Sequence, residues 1–305
     1  MHHGHELLGD SRAISDPELL GRARVDTRFS PLVWLNLVCL DAPIVAVTWQ
    51  WLFARSFHIS LTMPARVALF LIAWFIYLAD RFVDTLSLAR EDPKSLRQQF
   101  CQRHRLEWMA LLVATALFDT WLVLRHLDTH TFFVGLIIGA LSLVYLATNY
   151  WLGKIWRIIS AKEICVGSLF AIGTLAALIP KVEHWSASFV TSFLHFAFLC
   201  SLNCISIAAW ERELDQAQGK NSLATRWPRV GRYLKASALV LAGSCVAVAL
   251  ITRSQAGLCP CIGASASLLG GLDLMRDVIP PNERTALADL VLLTPLVIFL
   301  SDFAR

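Results

Sequence analysis

The chain has 305 residues, 56% of them hydrophobic and 16% charged, where soluble domains run at about 45–50% and about 25%. That composition excludes a water-soluble globule, and a mean hydropathy of +0.56 with 11 Trp and 17 Phe excludes disorder, which needs a polar chain poor in aromatics. A net charge of +4 implies no nucleic-acid partner. An integral membrane protein remains.

In chain order, residues 1–30 carry His2, His3, His5, Asp10, Asp16, Glu18 and Asp26 among arginines and lack an apolar core. They read as a polar cytoplasmic leader without a cleavable signal peptide. Nine apolar stretches of bilayer length follow, near 31–54, 64–85, 107–125, 131–152, 161–180, 188–210, 233–253, 256–272 and 285–303. The eighth is short and holds Pro260, Gly263, Gly270 and Gly271. Lipid offers no partner for unpaired backbone groups, so spans without alternation are helices. The expected fold is all-α: a polytopic membrane protein, with residues 31–303 as one membrane domain. Pro43 would account for Asp41 in the first stretch by breaking its helix.

Of the 27 Lys and Arg, only Arg55, Arg66, Arg125, Lys181, Arg253 and Arg305 lie on the side opposite the N-terminus. Positively charged loops stay inside, which places the N-terminus and the long loops 85–106 and 211–232 in the cytoplasm; for a bacterial chain the membrane is the cell inner membrane. The first of these loops, interrupted by Asp92-Pro93, is a candidate lid. Cys39, Cys165, Cys200, Cys204 and Cys245 fall in apolar runs and read as small buried hydrophobes. Cys259-Pro260-Cys261 lacks the spacer of a metal or redox motif.

The chemistry concentrates where these two loops begin. The second stretch ends in Asp80-Arg81-Phe82-Val83-Asp84 and the sixth in Glu211-Arg212-Glu213-Leu214-Asp215. Residues four apart share a helix face, so each segment presents a paired carboxylate. Such pairs repel and call for positive charge between them. Hard oxygen ligands on two facing helices suit Mg²⁺, which takes part of its shell from a few carboxylates and substrate phosphates.

These segments, with Gly219-Lys220-Asn221-Ser222-Leu223 after the second, resemble the UbiA superfamily of intramembrane prenyltransferases over about residues 31–303. The resemblance implies nine transmembrane helices around a central cavity and a prenyl diphosphate bound through Mg²⁺ by Asp80, Asp84, Glu211 and Asp215. The chain departs from the family at Ile76, where the first motif has Asn, at Tyr77, and at Glu211, where the second has Asp. Arg81, Arg212 and Lys220 adjoin the acids and would face the diphosphate. Lys162, in Lys162-Glu163 before Val166-Gly167, resembles a basic position of the family's fifth helix and is equally read as a membrane anchor. Lys154 and Arg157 read as positive-inside anchors.

Polar residues inside lipid-length segments are costly and face cavities or each other. Asn36, Asp41, Gln50, Asn149, Tyr150 and Asn203 are such residues. Asn203 lies two turns below Glu211 and is open to two readings, the wall of an acceptor pocket or a hydrogen bond between helices. The Trp and Phe side chains face lipid, one another or an isoprenoid tunnel. The expected activity moves an isoprenyl group from a prenyl diphosphate to an aromatic or lipophilic acceptor, in contact with membrane lipid. The alternatives are a family member that has lost catalysis and a carrier of a lipid-linked phosphate.

Overall fold

The computed structural model describes residues 31–88, 91–151, 162–252 and 257–303; the leader, Lys154 and Arg157 lie outside them. Among the described residues every regular element is helical and there is no strand. In chain order these are α1 (Pro31–Leu37), α2 (Asp41–Ser56), α3 (Met63–Leu86), α4 (Leu96–Arg103), α5 (Arg105–His126), α6 (Thr129–Trp151) and α7 (Lys162–Thr174). Then come α8 (Ala187–Trp210), α9 (Arg212–Ala217), α10 (Leu223–Arg226), α11 (Leu234–Thr252), α12 (Leu258–Leu274), α13 (Pro281–Leu290) and α14 (Pro295–Phe303).

Four helices, α5, α6, α8 and α11, are long and apolar enough to cross a membrane, and the count rises to six if α1 with α2 and α13 with α14 each form one bent span. The other three apolar stretches are helical too. Helix α3 is 24 residues long but brings Asp80, Arg81 and Asp84 into its last turns, α7 stops at Thr174, short of the expected 180, and α12 is 17 residues long. Helices α5, α6 and α11 leave most of their apolar sides bare, with Leu117, Leu136, Ile137, Leu239, Leu250 and Ile251 all exposed. Apolar surface on this scale is a face for lipid.

The first span does not break where its proline predicts. Pro43 sits inside the first turn of α2, where a missing N–H costs nothing, and the chain bends by 92° just before it. The turn is a Schellman motif: Leu40 N–H donates to Leu35 O at 2.9 Å and Cys39 N–H to Asn36 O at 3.3 Å, with Cys39 at φ 57°. Helix α2 ends the same way, with Ile59 N–H on Ala54 O at 2.8 Å and His58 at φ 55°. Glycine is the usual occupant of this left-handed position because a Cβ there costs about 1–2 kcal/mol. The exposed His58 therefore yields a simple test: His58→Gly is expected to stabilise the protein by about 1 kcal/mol, read as a higher thermal midpoint in detergent.

The main core lies where α2, α7, α8, α11 and α12 meet, around Trp49, Phe53, Phe196, Leu199 and Ile262. Buried indoles fasten helices to one another because an unpaired N–H would be costly there. Trp49 Nε1 donates to Leu292 O at 2.8 Å, Trp74 Nε1 to Val38 O at 2.9 Å and Trp108 Nε1 to Leu78 O at 3.0 Å. Helices α7 and α8 run in backbone contact at Gly167, where a Cβ would lie 2.4 Å from Ser201 N. One cysteine corrects the sequence reading. Cys165 is exposed, on the side of α7 away from the core.

Candidate functional site

The two acidic segments arrive at the same end of the helix assembly, carried there by local rules. Asp80 and Asp84 lie one turn apart on α3. Glu211 ends α8 and begins α9, and the bond from Asp215 N–H to Glu211 O at 2.9 Å keeps the helical spacing of this pair across the junction. Helix α9 then closes in a Schellman turn, with Lys220 N–H on Asp215 O at 2.8 Å and Gly219 at φ 65°. That conformation, which costs glycine least, turns the chain back so that Lys220 Nζ donates to Asp84 Oδ2 at 2.7 Å. The ion pair joins the first acidic segment to the loop after the second.

The remaining cations fall between the segments. Asp80, Asp84 and Asp215 all lie in the field of Lys162 and Lys220, and Arg81 in that of Asp80, Asp84 and Glu211. Arg212 differs: its Nε is buried without a hydrogen-bond partner. Glu211 is held by two residues that the sequence did not point to, Arg97 of α4, which forms an ion pair with Oε1, and Thr285 of α13, whose hydroxyl donates to the same oxygen at 3.1 Å. The signal for α4 was present in Ser95-x-x-Gln98, a capping box that the structure forms. Two further contacts stitch the loops together. Gln218 Nε2 donates to Gln98 Oε1 at 2.9 Å and to Pro93 O at 2.7 Å. Glu163 of α7 accepts Leu223 N–H at 3.0 Å, which anchors the segment bearing Lys220.

Asp215 lies outside the apolar spans. Burial pushes its carboxyl up to about 6, against the downward pull of a hydrogen bond from Ser222 and of the Lys220 charge. A carboxyl raised in the folded state holds a proton there that the unfolded chain has lost, so its favourable contribution is full below about pH 4 and gone above about pH 6. At pH 7.5 the ionised group is a burden. Asp215→Asn is therefore expected to stabilise the protein at pH 7.5, on the order of 1–3 kcal/mol, and to change little at pH 4, as followed by thermal midpoint against pH.

Deeper in the bundle, Asn203 of α8 donates from Nδ2 to Asp289 Oδ1 of α13 at 2.9 Å, and Asn36 Nδ2 reaches Asp41 Oδ2 at 2.6 Å and Asp289 Oδ2 at 3.3 Å. Asp289 was not singled out from the sequence. An acid inside the apolar stretch 285–303 was the signal, by the rule that selected Asp41. Asn203, Asp289, Tyr77 and Cys204 line a small cavity of about 20 Å³ between α2, α3, α7, α8 and α13, so Asn203 is both an interhelical tie and a cavity wall. Gln50 is buried with neither amide atom hydrogen-bonded.

Among the described residues no three His, Cys, Asp or Glu side chains form a ready metal cage. A Mg²⁺ at these acids would have to be shared with a phosphate, since that ion keeps waters and needs only one or two carboxylates beside the phosphate oxygens. The ammonium of Lys220 on Asp84 already stands as a cation at this place. In comparison with known proteins, the chain matches no family model, no curated protein and no solved structure.

Proposed function

We propose that the chain is a Mg²⁺-dependent intramembrane prenyltransferase of the UbiA type, in which nine spans surround a central cavity and the acidic segments face the cytoplasm. The observation that carries the reading is the Lys220–Asp84 ion pair, which draws acids and cations from distant parts of the chain to one helix end. A diphosphate needs both kinds of group: carboxylates for its metal and cations for the charge that the metal leaves uncancelled. Asp80, Asp84, Glu211 and Asp215 would hold Mg²⁺, whose part is to neutralise charge on the diphosphate as it leaves. Lys162, Lys220 and Arg81 stabilise the same charge, and Arg212 can join them because its Nε is uncommitted. With the C–O bond broken, the electron pair departs on the diphosphate, and the allylic cation is attacked by an acceptor held among apolar side chains that keep water out, the acceptor's proton passing to the released diphosphate.

The test incubates the purified full-length protein with Mg²⁺, labelled geranyl, farnesyl and geranylgeranyl diphosphates and a lipid extract. Release of pyrophosphate together with a prenylated lipid-soluble product is expected. The lack of a three-ligand metal cage among the described residues favours a second reading, a protein that binds a prenyl phosphate without transferring it. Tight retention of the label with no pyrophosphate released would select that reading.

A further inference from the structure

We propose that the cavity behind Asn203 is a subsite for an uncharged hydroxyl, so that the acceptor is a neutral alcohol or phenol and not an acid. The inference rests on the prenyltransferase reading for the word acceptor, while the subsite itself rests on the cavity alone. Asn203 is 4% exposed and lines the cavity. Its Nδ2 is committed to Asp289 and its Oδ1 is buried with no partner. In this orientation the amide nitrogen serves Asp289 Oδ1 and the oxygen is the atom left to be satisfied. A buried carbonyl oxygen left unpaired is costly, and a ligand O–H would satisfy it.

Size and charge narrow the ligand. About 20 Å³ holds one water or one hydroxyl, so only the polar tip of a larger molecule enters. Among the described residues, the cavity lining includes no Lys or Arg. Two carboxyl groups, Asp289 and Asp41, converge beside it on Asn36 Nδ2. The charge of Arg97 reaches Asp289, but that guanidinium is paired with Glu211. An incoming carboxylate would lose its hydration beside two carboxyl groups with no unpaired cation among the described lining residues, whereas a hydroxyl donates to Asn203 Oδ1 and gives up far less hydration. Asn203 lies eight residues from Glu211, about 12 Å along a helix, which sets the hydroxyl end below the diphosphate end.

The test uses the full chain in detergent and two probes that share a propylphenyl body and differ in the polar tip, 4-propylphenol and 4-propylbenzoate, with binding followed as protection from heat aggregation on size-exclusion chromatography. The phenol is expected to bind about tenfold more tightly than the benzoate or better, and Asn203→Leu to weaken the phenol and so narrow that preference. Should Asn203→Leu fail to fold, Ala42→Val narrows the cavity without touching the polar network and is expected to weaken the phenol several-fold. Equal or tighter binding of the benzoate, or a preference undiminished in these variants, overturns the inference; a purely structural Asn203 would lower thermal stability and leave selectivity unmoved. A parallel arm measures inorganic pyrophosphate with Mg²⁺. Pyrophosphate binding without phenol selectivity removes the subsite and spares the prenyltransferase reading. Phenol selectivity without pyrophosphate binding supports the subsite and removes that reading.

Discussion

Replacing Asp80 or Asp84 with Asn is expected to abolish Mg²⁺-dependent binding of pyrophosphate and to lower prenyl transfer by about 100- to 1,000-fold, the usual loss when one well-placed group for developing charge is removed. Stability should hardly move in Asp84→Asn. The Lys220–Asp84 pair is part-exposed, with side chains 21% and 27% accessible, and ion pairs in that setting contribute about 1 kcal/mol or less. Asn keeps the shape and volume of Asp, so the variants should insert and elute like the parent chain. A variant that kept its full affinity for pyrophosphate in Mg²⁺ would remove the acidic segments from the site.

Gly167→Ala is expected to be the most damaging conservative change in the bundle. Helix propensity alone favours Ala over Gly by about 1 kcal/mol. At this position the added Cβ would meet Ser201 N at 2.4 Å, Ser201 Cα at 2.5 Å and Cys200 C at 2.7 Å. All three are backbone atoms of α8, so no side chain can swing away and the two helices must part, an overpacking cost of about 1–3 kcal/mol or more. The sign therefore turns against Ala. Gly243 of α11 provides the control, because a Cβ there would touch nothing within 4 Å; Gly243→Ala should gain about 0.5–1 kcal/mol. Thermal midpoints in detergent should fall for the first variant and rise for the second. Parallel shifts in the two would show that α7 and α8 are not in backbone contact.

The helical character was legible because apolar runs of bilayer length leave the backbone one solution, and every apolar stretch is mainly helical where it is described. The pairing of carboxylates four residues apart was legible for the same geometric reason. What the sequence hid was of two kinds. The break at Cys39 has no local signal, because the left-handed position is filled by a residue other than glycine or asparagine and the nearby proline points to the wrong place. The ion pair of Arg97 with Glu211 spans 114 residues and leaves no trace in spacing, although the capping box around it marks the short helix. Asp289 was visible in principle, as an acid in a lipid-length run, but its two partners Asn36 and Asn203 meet only in three dimensions.

The amide of Gln218, bonded at once to the Gln98 side chain and the Pro93 carbonyl, acts as a clasp across the charged end of the bundle. One side-chain amide thus ties the end of α9 to the segment ahead of α4, and Gln218→Ala would cut both strands of that tie at once.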